Sequence, residues 1–92
     1  MQERLSASVV RLPGVVARTG RKPSTVWLDV KIGRLPPPIR VGPRAVGWID
    51  WELDKVIDAR IAGATESEVR KLVGQLVAAR YSPVELSEVD VP

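Results

Sequence analysis

A helix broken at a glycine, a second short helix opened by a proline, and a basic hairpin directly after it predict a mainly α fold with a small β-hairpin wing. This is a winged helix-turn-helix extended by one further C-terminal helix. The break falls in residues 18–33, where Gly20 suits a helix end because glycine alone takes the left-handed backbone without penalty. Pro23 suits the first position of the next helix, where its missing N–H costs nothing, and Gly33 closes that helix. A second helix held this way can enter a major groove. The hairpin signal is Gly42-Pro43 between two runs in which apolar residues alternate with others.

At 92 residues the chain has room for one small domain, and 45% hydrophobic with 27% charged residues is the balance of a globular chain. It contains no Cys and no His. That excludes disulfides, thiol redox chemistry, Cys/His zinc sites and His-assisted nucleophiles. No metal or cofactor is expected. The N-terminus lacks the apolar run of a signal peptide, and no stretch approaches membrane-spanning length, so a cytoplasmic protein and no membrane is the expectation.

Charge is divided unevenly. Residues 1–49 carry nine Lys/Arg against Glu3 and Asp29, a net of +7, whereas residues 50–92 carry five against nine acids, a net of −4. Opposite signs on the two halves suggest that the first faces a polyanion.

Taken in order, residues 1–8 read as a flexible N-terminus and 9–12 as a short strand. A first helix follows from Gly14 to Arg18 or Thr19, with Val15 and Val16 inward. The second helix spans 23–32. At about 100° per residue it groups Val26, Val30 and one side of Trp27 as the buried face, leaving Ser24, Leu28, Lys31 and Ile32 opposite and Thr25 at the edge. Asp29 lies at the border of the buried face, where an unpaired carboxylate is costly, so it should reach an arginine, with Arg18, Arg40 or Arg44 as candidates.

The prolines of residues 34–39 force a stiff, extended connector. The hairpin at 39–48 should turn Ile39, Val41, Val46 and Trp48 to the core and leave Arg40 and Arg44 at its edge and tip. A basic hairpin after a helix-turn-helix reads as a wing; its alternative is an ordinary hairpin kept soluble by arginines. Asp50 is a natural N-cap for a third helix carrying Leu53, Val56, Ile57 and Ile61, with Glu52 and Asp54 in its first turn and an end near Gly63. Thr65-Glu-Ser-Glu68 fits a capping box for a fourth helix at 66–81. Its stripe of Val69, Leu72, Val73, Leu76 and Val77 either joins the home core or forms an oligomerisation seam. Ser82-Pro83 should stop it before a flexible acidic tail at 82–92. The domain proper is thus 9–62, with 63–81 as an added helix.

Arg11-Leu-Pro13, Thr19-Gly20, Ser24-Thr-Val-Trp27, Gly33-Arg-Leu-Pro36, Pro38-Ile-Arg-Val-Gly42 and Pro43-Arg-Ala-Val-Gly-Trp48 occur in an order and spacing that resemble the AlpA family of phage-type regulators. These are winged helix-turn-helix proteins related in fold to MerR DNA-binding domains and excisionases. The likeness runs from about Val9 to Ile61, and residues 42–48 are its most specific block. It implies DNA binding with helix two as recognition helix and the hairpin as wing. Ser24 and Thr25 would hold phosphate or the groove edge, Trp27 would support the helix, and Arg40 and Arg44 would be wing contacts. Arg21, Lys22, Leu28, Lys31 and Arg34 complete the expected DNA-binding set. The chain departs from the family in having Leu28 where a basic residue is common and Asp29 where an apolar one is.

The expected function is a sequence-specific regulator of a phage or other mobile element. The alternatives are an excisionase-like recombination directionality factor and a protein-interaction module that has lost DNA binding. An enzyme is disfavoured, because no carboxylates, Lys or Tyr stand in a recognisable catalytic arrangement. The expected partners are double-stranded DNA, a second copy of the chain as a dimer or head to tail on DNA, and RNA polymerase or an integrase.

Overall fold

The computed structural model describes residues 8–88, with side chains as far as Arg80. The described residues form β1 (Val9–Val10), α1 (Leu12–Thr19), α2 (Pro23–Lys31), β2 (Ile39–Gly42), β3 (Ala45–Ile49), α3 (Asp50–Ile61) and α4 (Glu66–Glu88). Of the flexible ends expected at residues 1–8 and 82–92, residues 1–7 and 89–92 lie outside the described residues, whereas Ser8 is bonded to Asp50. No described helix is long and apolar enough to cross a membrane.

The turn between α1 and α2 forms for the reason foreseen. Gly20 has φ 72° and its N–H donates to the Val16 carbonyl, while Pro23 sits in the first turn of α2. The Thr19 hydroxyl donates to the Val15 carbonyl and accepts from the Arg21 N–H, at 2.8 and 3.3 Å, which fixes the direction in which α2 departs. Gly33, with φ 84°, ends α2 in the same left-handed way. α2 stops at Lys31, so Ile32 becomes its half-buried C-cap rather than part of its solvent face.

β3 is the central strand of an antiparallel sheet in the order β1-β3-β2. Val10 pairs with Trp48 and Arg40 with Val46, so these four share one face. Gly47 is where β1 comes close; a Cβ there would run into the Val9 side chain and lie 3.3 Å from the Val10 carbonyl oxygen.

Of the four hairpin residues expected inward only Trp48 is buried: Ile39 pairs with Gly47 and so lies half-buried on the face opposite Trp48, while Val41 and Val46 are exposed, at 43% and 36%. The pairing shows why for Val41. The register shifts between Arg40 and Gly42, so a bulge leaves Val41 outside the ladder and breaks the alternation. Val46 keeps the face of Trp48 but lies nearer the hairpin tip than the core reaches.

The core is formed by Val15, Val26, Leu35, Trp48, Leu53, Val56, Val69, Val73 and Leu76. Every helix contributes, α4 included. Three residues of its stripe are therefore covered by the chain itself, and Leu72 and Val77 pack partly against the same core. Of the two alternatives left open for that stripe, packing on the home core is the one seen. The capping box at its start forms as predicted, with the Thr65 N–H donating to Glu68 Oε1 at 2.7 Å and the Glu68 N–H to Thr65 Oγ1 at 3.1 Å. The backbone continues as helix beyond Ser82-Pro83, to Glu88. A proline forfeits one backbone bond and crowds the carbonyl four residues back, a local cost of about 3 kcal/mol rather than an absolute stop. In α3 the last residue, Ile61, expected on the apolar face, is 78% exposed.

Asp50 begins α3 but does not cap it. Its carboxylate accepts from the Ser8 N–H at 3.0 Å, the Ser8 hydroxyl at 2.9 Å and the Trp51 N–H at 2.7 Å, and its own N–H donates back to the Ser8 carbonyl. Burial would raise the carboxyl's pKa, but the bonds from Ser8 and Trp51, with the nearby Arg18 charge, outweigh it and hold it below the ordinary aspartate value. A lowered folded pKa means stability present above the ordinary value and lost as pH falls through the folded one. Thermal melts from neutral to acidic pH should therefore show wild type losing its advantage over Asp50→Asn at the acid end; parallel curves for the two would refute this clip on β1.

Candidate nucleic-acid interface

α2 has one side in the core and one side bare. Val26 is fully buried and Val30 packs against the core, whereas Lys22, Ser24, Leu28 and Lys31 are exposed and Thr25 is half-buried. Ser24, Leu28 and Lys31 stand at i, i+4 and i+7 and so line one face. Lys22 occupies the N-cap in extended conformation without a side-chain hydrogen bond, which leaves the first-turn N–H groups beside Ser24 and Thr25 uncapped. Such a helix start favours an anion.

Trp27 joins this helix to the wing. Its ring is tilted 53° against that of Trp48, with centroids 5.2 Å apart, while 43% of the residue stays exposed. Arg40 shares a sheet face with Trp48, so the wing's first arginine lies on the side of the sheet that α2 touches. Arg40 is exposed and makes only a 3.5 Å contact to the Pro43 carbonyl; Arg44 is exposed in the turn.

The expected set divides here. Arg21 and Arg34 do not present free guanidinium groups. Arg21 makes a two-pronged bond to Asp29, Nε to Oδ2 at 2.9 Å and Nη2 to Oδ1 at 3.0 Å. Arg34 lies 3.8 Å from the same carboxylate and 2.5 Å from Glu66 Oε2, the latter an ion pair outside hydrogen-bond geometry. Asp29 thus finds arginines, as its burial requires, but not the three proposed for it. Arg18 turns instead to Asp54 at 3.1 Å, and Arg40 and Arg44 stay on the wing. The partners of Asp29 come from the turns at either end of its own helix, the shortest route for a long side chain. What remains open on this side is Lys22, Ser24, Thr25, Trp27, Leu28, Lys31, Arg40 and Arg44.

One buried pair escaped the sequence reading. Glu52, taken there for a solvated first-turn acid, is 1% exposed. It receives Arg80 Nε at 2.9 Å and Nη2 at 2.5 Å, and Nη2 also donates to the Pro37 carbonyl at 2.8 Å. A signal was present: Arg80 falls four residues after Leu76, in line with the apolar stripe, and Glu52 four before Val56. The pair pins the stiff connector ahead of the wing to both α3 and α4.

Comparison with known proteins agrees with this architecture. The family described as Prophage CP4-57 regulatory protein (AlpA) matches residues 8–61, from the start of β1 to the end of α3. A curated relative from Escherichia coli (strain K12), named DNA-binding transcriptional activator AlpA, is 33% identical over 66 residues, covering 65% of this chain and 94% of that protein. No solved structure matches.

Proposed function

This chain belongs to the AlpA family, and from that premise we propose that it is a sequence-specific DNA-binding transcriptional regulator of a prophage or other mobile element. In this reading α2 lies in the major groove and the β2–β3 hairpin is the wing. The observation that carries it is the sorting of the cations. Arg18, Arg21 and Arg34 are consumed by ion pairs, while Lys22 at the uncapped start of α2, Lys31 in its last turn, and Arg40 and Arg44 on the wing are exposed. Phosphate contacts from such groups set register and most of the affinity, and base contacts from α2 set preference.

A single module of this size makes few phosphate contacts, so tight binding needs more than one copy. With the stripe of α4 already in the core, copies placed side by side along DNA suit the chain better than a dimer through that helix.

The test is a binding titration on the DNA flanking the gene, at two salt concentrations, against unrelated DNA. Tight, salt-sensitive binding with a margin over the control is expected, and the footprint then counts the copies. Equal, weak affinity for both duplexes would overturn the reading in favour of an interaction module using the exposed Trp27 and Leu28. Arg44→Ala should weaken binding to every sequence alike and reduce the salt slope by roughly one; unchanged affinity at moderate salt would remove Arg44 from the wing contacts.

A further inference from the structure

We infer that Leu28 is a specificity-determining residue, and that the group it reads is the 5-methyl of a thymine in the major groove. The inference rests on the DNA-binding reading and deepens it. Leu28 is 48% exposed a turn in from the start of α2, between Ser24 and Lys31 on the face turned away from the core. Of the side chains that can read bases, Ser24, Thr25 and Lys31 stand toward the two ends of α2, and the others near it are engaged elsewhere. Arg21, whose fork would suit guanine, is held by both prongs on Asp29, and Asp29, which could accept from a cytosine amino group, is 5% exposed and faces inward. What the middle of α2 offers to a base edge is therefore a branched apolar group. Among the four bases only thymine presents an apolar group in the major groove.

The surroundings suit this occupant. Lys22, Lys31 and the uncapped N-terminus place positive charge about Leu28, within the half of the chain whose net charge is +7. A polyanion bearing methyl groups between its phosphate rows complements that arrangement.

The experiment begins with selection of bound duplexes from a random pool by the full-length protein. Each thymine of the recovered site is then replaced singly by deoxyuridine, which removes the methyl and nothing else. One position should weaken wild type about fourfold, the value of one buried methyl-sized group. At that position Leu28→Ala should bind thymine and deoxyuridine equally, and Leu28→Met, which keeps an apolar contact, should still favour thymine. Because Leu28 is solvent-exposed in the free protein, both variants are expected to fold. Failure to enrich any sequence would overturn the DNA-binding reading itself. Enrichment with no deoxyuridine effect, or with an effect that persists in Leu28→Ala, would overturn the inference and leave the DNA-binding reading standing.

Discussion

Arg80→Ala is expected to destabilise the chain by about 3–5 kcal/mol, the range for breaking a buried ion pair by removing one partner. The mechanism is asymmetric. Glu52 is 1% exposed, and without Arg80 its carboxylate loses two charge-assisted bonds with no water to replace them, while the Pro37 carbonyl loses its donor. The pair itself need not be a net gain over apolar packing. The double variant Glu52→Leu/Arg80→Met should therefore recover most of what Arg80→Ala loses. Urea unfolding monitored by circular dichroism measures both, with midpoint shifts read at unchanged slope. A domain of this size has roughly 5–15 kcal/mol in all, so the single variant should be partly unfolded at modest urea. An Arg80→Ala loss under about 1 kcal/mol would mean that the guanidinium is not what joins α4 to the connector. The consequence reaches past stability, because Arg80 and Glu66 tie α4 to residues 34–37, the link between α2 and the wing. A helix outside the family-matched segment 8–61 thus holds α2 and the β2–β3 hairpin in relation to each other.

Trp48→Ala should cost a similar 3–5 kcal/mol, the usual loss on truncating a large buried aromatic. Trp48 is 1% exposed at the centre of the three-stranded sheet, between β1 and β2, and its ring supports Trp27 on α2. Its removal opens a void under α2 and frees the wing from it. Trp48→Phe should be far milder. The indole N–H is buried with no hydrogen-bond partner among the described residues, so phenylalanine gives up an unsatisfied donor along with some volume. The expected order is wild type, then Phe close behind, then Ala well below, again by urea midpoint. If Ala and Phe were equally damaging, the loss would lie in some property of tryptophan other than the packing described. If Ala were nearly neutral, the contact of the two tryptophans would not be what seats the wing.

Much of this architecture was legible in the sequence because local chemistry decides it. Gly20, Pro23 and Gly33 set the turn and the bounds of α2 through backbone preference alone, and the box at Thr65 and Glu68 caps α4 using bonds three residues apart. Gly42-Pro43 marks the hairpin, and the block at residues 42–48 carried the family resemblance. The exposed half of the site, Ser24, Leu28, Lys31, Arg40 and Arg44, followed from a helix wheel and a turn position, which are also local rules.

Only the tertiary structure could decide who pairs with whom. Asp29 was bound to need an arginine, yet the choice of Arg21 and Arg34 over Arg18, Arg40 and Arg44 depends on how the turns at the two ends of α2 fold back. That choice ties up two of the cations that the sequence offered as free. The bulge that exposes Val41 comes from a register between strands, and a sequence read one strand at a time carries no register. Glu52 and Arg80 are 28 residues apart, and although each falls in line with buried positions of its own helix, nothing local says that the two meet. Their burial exists only once α3 and α4 pack. Backbone preferences act over a few residues and so can be read from them, whereas burial and ion pairing are properties of surfaces brought together by folding, and those surfaces do not exist until the core closes.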